Sequence, residues 1–510
     1  MTKQQIREIK LNKTKMLLFI LFIASISLIF LYLKTRKPGP FRPPPGPEGL
    51  PIIGNLHQFD SLNPHLYFTN LSKIYGPIFS FRLGNRSIVV VQSAKTAKEV
   101  LHTQDKNFCN RLMLSGGKRL SYNGLDVVFS SYGEYYREIK KIFVVHLLSS
   151  KRVQSFAPIR EEEVSRIIQR ISCISSENKV VNLSELLVNY ASSSICRIAF
   201  GKRYEGEKGS RSRFHDLLIE AQAMFAGFFF RDYFPYIGWI DKLNGKYSKL
   251  EKTFKKLEEF YEEIIDEHLD IKRPKSEQED MVDILLHLKK QRSFSFELTM
   301  DHIKAMLMDI IIAGTDTSTA MVVWAMTELI KNPNAMEKVQ EEIRNTVRGK
   351  GYIEESDLLD LKYFNAVVKE TFRLHPATPL LVPRETLQNT TIEGYDIQST
   401  TIVYVNLWAI SRDPETWKDP DLFIPERFLE SSVNFLGQDF ELIPFGAGRR
   451  ICPGLQLGVA SLELVLANFL YHFDWGLPNG LKGEDIDTDV QLGVVMHKKN
   501  PLCLVANKYL

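Results

Sequence analysis

The stretch PFGAGRRICPG, residues 444–454, decides the fold of this chain. Its three glycines permit a tight backbone path, and Cys452 stands directly before a Pro-Gly pair. The apolar run 455–470 follows and predicts a helix. A thiol at a helix N-terminus, beside two arginines, has its thiolate favoured by the helix dipole and by positive charge. Cys452 is therefore a candidate metal ligand, although a lone cysteine is more often a buried structural residue.

Two further motifs lie upstream of this stretch. AGTDTS, residues 313–318, falls inside a predicted helix from about Thr299 to Lys331, which Asn332-Pro333 ends. Taken alone, such a polar cluster is more often a kink or a helix contact. In KETFRLHP, residues 369–376, a glutamate and an arginine three positions apart share one helical face and can pair, as many solvated surface pairs do.

Together these motifs resemble those of the cytochrome P-450 superfamily. The haem-binding signature FxxGxRxCxG is matched by Phe445, Gly448, Arg450, Cys452 and Gly454. The resemblance implies that Cys452 is the axial thiolate on the iron of haem b, that Arg450 pairs with a haem propionate and that Phe445 shields the sulfur. A proximal thiolate donates electron density that promotes O–O cleavage.

The resemblance also assigns the other motifs. AGTDTS matches the oxygen-activating motif, in which Asp316 and Thr317 relay protons. Glu370 and Arg373 match the ExxR element, which Arg427 of PERF completes as a buried structural triad. Arg384 in VPRE matches a position that contacts the second propionate.

One segment departs from the family pattern. The family often has Trp-x-x-x-Arg on the helix over the haem edge, whereas this chain has Tyr136 and Lys140 at those places. Lys140 keeps the charge without the bidentate geometry, and Tyr136 keeps an aromatic donor, so haem should still bind. The fold that the resemblance implies is mainly α with small β-sheets, the cytochrome P-450 fold, behind an N-terminal single-span membrane anchor.

Composition and charge distribution agree with this organisation. The chain has 510 residues, of which 44% are hydrophobic and 25% charged, and this excludes wholesale disorder and a multi-span membrane protein. Residues 1–42 contain nine basic side chains and one acidic one, so the remaining residues carry a net charge of −4 although the whole chain carries +4. A mildly acidic body argues against nucleic-acid binding.

The N-terminal region predicts a membrane anchor. Residues 1–15 are basic, residues 16–33 form an uncharged run about 27 Å long as a helix, residues 34–51 are a basic and Pro-rich hinge, and residues 52–510 are the haem-binding catalytic domain. Basic residues flank the run on both sides, so charge alone leaves its orientation open. The resemblance implies a single-pass protein of the endoplasmic reticulum with its catalytic domain in the cytosol. The five cysteines are widely spaced without a CxxC pair, which argues against a disulfide framework and a structural zinc site.

The reaction needs electrons from outside the chain. The sequence has no phosphate loop and no dinucleotide fingerprint, so NADPH and flavins are expected only through a partner NADPH-cytochrome reductase, with a cytochrome b-type protein as a second candidate donor. Five basic residues could form the docking patch for an acidic partner, or equally a solvated face. They are Arg137, Lys140, Lys141, Lys151 and Arg152.

The resulting hypothesis is a plant microsomal haem-thiolate monooxygenase that inserts one atom of dioxygen into a lipophilic small molecule. Candidate substrates are a terpenoid, an alkaloid, a phenolic or an amino-acid-derived aldoxime. The alternatives are a haem-thiolate dehydratase or isomerase, and a haem-based sensor or binding protein. Substrate contacts are expected from five mainly apolar segments. These are 111–128, 223–239, 308–313, 377–382 and 494–496.

Overall fold

The computed structural model of this chain describes residues 15–16, 24–25, 41–204, 213–225, 227–274, 278–292, 294–347 and 349–509. By its contacts the chain divides into two units, Met1–Pro43 and Pro44–Leu510. Most of the predicted anchor 16–33, and hinge residues 34–40, lie outside the described residues, so the anchor stays a prediction.

Helices dominate the unit Pro44–Leu510, as the sequence predicts. The α-helices are α1 (Pro64–Tyr75), α2 (Ala94–Lys98), α3 (Asp105–Phe108), α4 (Ser115–Leu120), α5 (Glu134–Lys141), α6 (Ser150–Ser155), α7 (Ala157–Ser176), α8 (Leu183–Phe200), α9 (Arg213–Phe225), α10 (Phe230–Tyr233), α11 (Ile240–Leu243), α12 (Lys246–Leu269), α13 (Met281–Gln291), α14 (Met300–Lys331), α15 (Pro333–Thr346), α16 (Lys362–Leu374), α17 (Leu407–Ile410) and α18 (Leu455–His472). In the described part of the unit they are connected by two π-helical turns (Glu99–Thr103, Ile142–Leu147) and six 3₁₀ turns (Pro235–Ile237, Glu355–Asp360, Pro425–Phe428, Gly448–Arg450, Pro478–Gly480, Gly483–Asp485).

The strands form small sheets, as expected. They are β1 (Ile78–Leu83), β2 (Arg86–Val91), β3 (Asn110–Arg111), β4 (Val181–Asn182), β5 (Arg384–Glu385), β6 (Thr390–Ile392), β7 (Tyr395–Ile397), β8 (Ile402–Val405), β9 (Phe473–Gly476), β10 (Val490–Leu492), β11 (Met496–Lys498) and β12 (Cys503–Lys508). The largest sheet has the order β1-β2-β8-β5-β3, a second has β4-β12-β9, and β6-β7 and β10-β11 are hairpins. The predicted hairpin at residues 78–91 is confirmed, with Ile78 opposite Val91 in antiparallel register.

Helix α14 is the central element of the core. It begins after Thr299, which forms a capping box with His302, and it ends at Asn332 before Pro333, so the predicted boundaries are confirmed. Among the described residues it is the one helix long and apolar enough to cross a membrane, but 67% of that apolar window is buried inside the protein. It is therefore a core helix.

Two hydrophobic clusters meet along α14. Residues 303–311 of the helix belong to one cluster, together with α12 and α13, whereas residues 321–330 belong to the other, together with α16 and α18. The AGTDTS motif lies between the two sets. Here Ala313 is exposed although residues 302–311 and 319–330 of the helix are buried, so the buried surface of the helix is interrupted at the motif.

Candidate functional site

Cys452 lies at the N-terminus of α18, in a tight hairpin of the backbone. Its N–H donates to the Phe445 carbonyl at 3.0 Å, and its sulfur accepts the N–H groups of Gly454 and Leu455. Burial raises the pKa of the thiol, while these N–H groups and the charge of Lys140 lower it. The expected stabilisation by the helix terminus is present, but desolvation exceeds it in the protein alone.

The glycine pattern of the motif has a steric reason at Gly448. This residue has a φ of +69°, and a Cβ atom on it would lie 2.1 Å from the Leu101 carbonyl oxygen. Gly446 has a similar φ of +68° but open space around it. Phe445 packs edge-on against Phe372, with ring centroids 5.4 Å apart. The path 445–452 is thus fixed by close approach to the rest of the protein.

Arg450 points away from Cys452 and into a buried cluster of backbone carbonyls. Its Nε donates to the Cys109 oxygen at 2.8 Å and its Nη2 to the Ser130 oxygen at 2.6 Å. Its guanidinium lies 3.6 Å from the centroid of the Tyr136 ring. Its charge is therefore directed toward the neighbouring cluster, and Lys140 is the cation whose charge lowers the pKa of the Cys452 thiol.

Three more cations share this region. Arg384 pairs with Asp105 at 2.8 Å and also donates to the Ala447 oxygen at 2.9 Å. Arg111 donates to the Val128 oxygen at 3.2 Å and to the Pro383 oxygen at 2.9 Å. Lys140 donates to the Arg449 oxygen, which also accepts the Tyr136 hydroxyl at 2.7 Å.

The net charge of these clustered cations shows whether the site suits haem, which carries two negatively charged propionates. Burial, with the charges of Arg384 and Arg450, lowers the pKa of Arg111, and the same causes lower the pKa of Lys140 to about 8. Asp105 is the buried carboxylate in contact with the cluster. Buried charges need counter-charges, so two propionates are the anions that this excess of positive charge requires. The thiol of Cys452, which is partly buried nearby, completes a donor set that fits haem.

Sequence reasoning missed Arg111 and Asp105. Arg111 was predicted only as the start of a substrate segment. Both residues are distant in sequence from Arg384 and Arg450, and no spacing rule connects them. An arginine directly before the apolar pair Leu112-Met113 was the available signal, and it is weak.

In the AGTDTS motif the two predicted proton-relay residues have different partners. The Thr317 hydroxyl donates to the Ala313 carbonyl at 2.7 Å, the back-bond expected of a mid-helix threonine. Asp316 instead pairs with Nε2 of His497 in β11 at 2.9 Å. The sequence analysis missed His497, which connects the acid of this motif to the C-terminal hairpin.

The ExxR residues form the buried triad that the resemblance implies. Arg373 donates to both oxygens of Glu370 at 2.7 and 2.8 Å, and Arg427 reaches the same carboxylate at 3.1 Å. Arg373 also donates to the carbonyls of Ser411, Pro420 and Leu422. Glu370 and Arg373 are fully buried. The triad therefore ties α16 to the chain that leads to Cys452.

The C-terminal hairpin is attached to the core through its main chain. The Trp324 indole of α14 donates to the Met496 oxygen at 3.0 Å, and the Met496 N–H donates to the Ala377 oxygen at 2.8 Å. His375 stacks on Trp324 with centroids 4.1 Å apart and contacts Glu328 at 2.7 Å. These bonds bring together two of the predicted substrate segments, 377–382 and 494–496.

The predicted docking patch is only partly a free surface. Arg137, Lys141 and Lys151 are exposed. Arg152 pairs with Glu279 at 3.2 Å. Lys140 is half-buried and its ammonium group bonds to the Arg449 oxygen, so it is less accessible than Arg137, Lys141 and Lys151; its docking role stays a prediction, and its assignment to the haem edge agrees with its position.

Comparison with known proteins decides the family. The family model described as Cytochrome P450 matches residues 44–505. The chain belongs to the cytochrome P450 family. It is 47% identical over 496 residues to 5-OH-xanthotoxin synthase of Pastinaca sativa, covering 96% of this chain and 97% of that one. It is 44% identical over 497 residues to Strychnine-11-hydroxylase of Strychnos nux-vomica, with 96% and 97% covered.

The fold agrees with this assignment. A zebrafish cytochrome P450 solved with abiraterone superposes with a TM-score of 0.73 at 25% identity, covering 88% of this chain and 99% of that one. This cytochrome P450 is therefore a haem-binding monooxygenase, an oxidoreductase. The monooxygenase hypothesis is favoured over a dehydratase, an isomerase or a sensor.

Proposed function

We propose that this cytochrome P450 hydroxylates a flat, lipophilic aromatic compound of plant specialised metabolism, with electrons from NADPH through a separate reductase. The observation that carries the substrate class is a pair of half-buried phenylalanines, Phe129 and Phe225, stacked at 5.3 Å with ring planes 9° apart. Phe225, Val128 and Ile312 pack against one hydrophobic cluster, and Ile312 precedes the exposed Ala313. Flat rings stack well on such side chains.

The roles of the site residues belong to the same proposal. Cys452 binds the haem iron, and the bound haem supplies the oxygen activation that side chains lack. Its propionates are held by Arg111, Arg384 and Arg450, with Lys140 and Tyr136 at the haem edge. In a separate role, Asp316 and Thr317 hold protons beside Ala313, and Phe445, Gly448 and Gly454 shape the loop around the sulfur. The triad Glu370, Arg373 and Arg427 is structural.

Substrate binding tests the proposed class. The purified holoprotein is titrated with a coumarin, a furanocoumarin such as xanthotoxin, an alkaloid such as strychnine, a terpenoid and an aldoxime, and the low-to-high-spin shift of the haem spectrum is recorded. We expect the flat aromatic compounds to bind and to yield a product one oxygen atom heavier when NADPH and reductase are present. Binding confined to terpenoids or aldoximes contradicts the proposed class. No oxygenated product from any bound compound contradicts the proposed reaction.

The membrane attachment is the next part of the proposal. We propose that residues 16–33 anchor the protein in the endoplasmic reticulum, with the catalytic domain cytosolic. An exposed apolar face on the unit Pro44–Leu510 supports contact with a bilayer. Tyr236 is 95% exposed, Ile52 79% and Leu243 77%. The turn Gly84–Asn85 bonds to Ile53 on one side and to Tyr233 on the other, and so brings these segments together.

Microsomes containing the protein test the attachment. Carbonate extraction should leave the full chain in the membrane and release a variant lacking residues 1–33. External protease should digest the catalytic domain without detergent. A protected catalytic domain would contradict the orientation, and extraction of the full chain would contradict the anchor.

The reductase is proposed to dock at Arg137, Lys141 and Lys151. Exposed Val144 and Val145 lie between these cations, so the surface combines basic and apolar groups. Lys141→Glu with Lys151→Glu should raise the reductase concentration for half-maximal NADPH oxidation about tenfold at low salt. Lys95→Glu, at a cation paired with Glu393 in another region, is the control. Equal effects of the two changes would exclude a specific docking surface.

A further inference from the structure

Two carboxyl groups lie in contact inside the protein, outside the cation cluster. Asp309 of α14 is 7% exposed and Asp126, between α4 and α5, is fully buried. Oδ2 of Asp309 accepts the Val127 N–H at 2.8 Å, and Oδ2 of Asp126 accepts the Phe129 N–H at 2.9 Å. The two carboxyl groups are within hydrogen-bond reach of each other. Oδ1 of Asp126 is buried with no other partner in the described part of the chain.

Two ionised carboxylates cannot form this contact. An ionised carboxylate only accepts hydrogen bonds, and two like charges in a buried site repel strongly. We propose that Asp126 and Asp309 hold a single proton between them, and that this shared proton positions the segment 125–130 against α14. Asp309 donates the proton to the free Oδ1 of Asp126. The pair then carries one negative charge and satisfies its oxygens.

The pKa shifts of Asp126 and Asp309 agree with a shared proton. Burial raises the pKa of Asp126 to about 6, and burial with the charge of Asp126 holds the pKa of Asp309 well above its usual value. One proton therefore remains near neutral pH. Because the folded chain binds it more tightly than the unfolded chain, the stability that it contributes is present at low pH and is lost as the pH rises past the higher of the two values.

The side chains that face Asp126 and Asp309 do not compensate the negative charge of the two carboxyl groups, so the shared proton must do so. Tyr135 of α5 donates to the Leu125 carbonyl at 2.8 Å, and Tyr261 of α12 has a buried hydroxyl near Asp309. Burial raises the pKa of both phenols, together with the charges of Asp126 and Asp309 at Tyr135 and those of Tyr122 and Asp309 at Tyr261, so they stay neutral. The nearby cations, Arg111 and Arg450, donate to backbone carbonyls and not to either carboxyl.

The segment connects the pair to the cation cluster. Its N–H groups bond to the two carboxyls, while its carbonyls accept from the cations. Arg450 donates to the oxygens of Val127 at 3.3 Å and Ser130 at 2.6 Å, and Arg111 donates to that of Val128 at 3.2 Å. Loss of the proton pushes the segment away from α14 and moves these carbonyls. Asp126 and Asp309 are thus positioning residues for the cluster that is suited to the propionates.

The test measures the proton directly and then its effect on haem retention. Infrared difference spectra of the holoprotein near neutral pH, wild type minus Asp309→Asn, should contain the carbonyl stretch of a protonated carboxylic acid. Haem release is then followed by the Soret band as the pH is raised. In Asp309→Asn the amide replaces the protonated carboxyl, so this variant should match the wild type near neutral pH and lose haem at least about one pH unit higher. Asp126→Asn should shift haem release in the same direction.

Asp241→Asn is the matched control. Asp241 is also buried and accepts two backbone N–H groups, from Phe230 and Arg231, but these bonds are made to α10 and not to the segment 125–130. Asp241→Asn should leave unchanged the pH at which haem is released. Absence of the protonated carboxyl band would overturn the proposal. A difference between Asp309→Asn and wild type that is equal at every pH would also overturn it, because only a titrating pair makes the difference depend on pH.

Discussion

Replacing Glu370 with alanine should destabilise the protein, because Arg373 and Arg427 lose the carboxylate that pairs with them. The carboxylate accepts two bonds from Arg373, one from Arg427 and the Ile424 N–H at 2.8 Å. In Glu370→Ala the guanidinium of Arg373 keeps its three carbonyl acceptors but loses its only bidentate counter-charge in a site with no exposure. Breaking a buried ion pair from one side costs about 3–5 kcal/mol, a large part of the roughly 5–15 kcal/mol that keeps a protein folded.

The expected shift in melting temperature follows from the size of the unit. An unfolding entropy of about 2.1 cal/mol/K per residue gives about 1 kcal/mol/K for roughly 470 residues, so the loss corresponds to about 3–5 °C. Circular dichroism on heating measures it, and the haem content at equal expression gives a second readout. The control is Glu259→Ala, whose pair with Lys255 is 3.7 Å long and largely exposed, and which should cost less than about 0.5 kcal/mol. Equal melting temperatures for Glu370→Ala and wild type would refute the buried-charge argument.

Three further experiments test the site. Cys452→Ala should abolish the thiolate-type spectrum of the reduced carbon monoxide complex, and an unchanged spectrum would exclude Cys452 as the ligand. Gly448→Ala places a Cβ 2.1 Å from a carbonyl oxygen and should prevent accumulation of holoprotein, whereas Gly446→Ala, with open space at a similar φ, should cost only about 1–2 kcal/mol of backbone strain. Equal yields of the two variants would contradict the steric account. Arg111→Ala should lower haem retention at least tenfold in a competition with apomyoglobin, and Arg111→Lys should recover part of it; no loss in the alanine variant would remove Arg111 from the haem site.

The sequence predicts those parts of the fold that depend on neighbouring residues, such as apolar periodicity, helix caps and turn residues. The apolar period and the caps gave the limits of α14, and alternation around Gly84 gave the hairpin β1–β2. The Pro-Gly pair after Cys452 gave the start of α18. In each case the residues that decide the structure are neighbours in the chain.

The rest of the site depends on contacts across long stretches of chain. Arg384 pairs with Asp105, which lies 279 residues earlier in the chain. Asp316 likewise pairs with a distant residue, His497 of β11. The chemistry of each residue was visible, but nothing in its neighbourhood identified its partner. Lys140 shows the same limit, because its position in a basic run indicates a surface cation but not the bond that its ammonium group makes to the Arg449 oxygen.

The attachment of the C-terminal hairpin has a consequence for how such enzymes diverge. The main chain of Met496 is held by its N–H, which donates to Ala377, and by its carbonyl, which accepts from Trp324, and its side chain is fully buried. Gly493 and Val494 at the tip are exposed, so they can be exchanged while the hairpin keeps its place. A lineage could acquire new substrates by single substitutions there at little cost in folding. Saturation mutagenesis of this tip is a practical route to variants with altered chemistry on an unchanged scaffold.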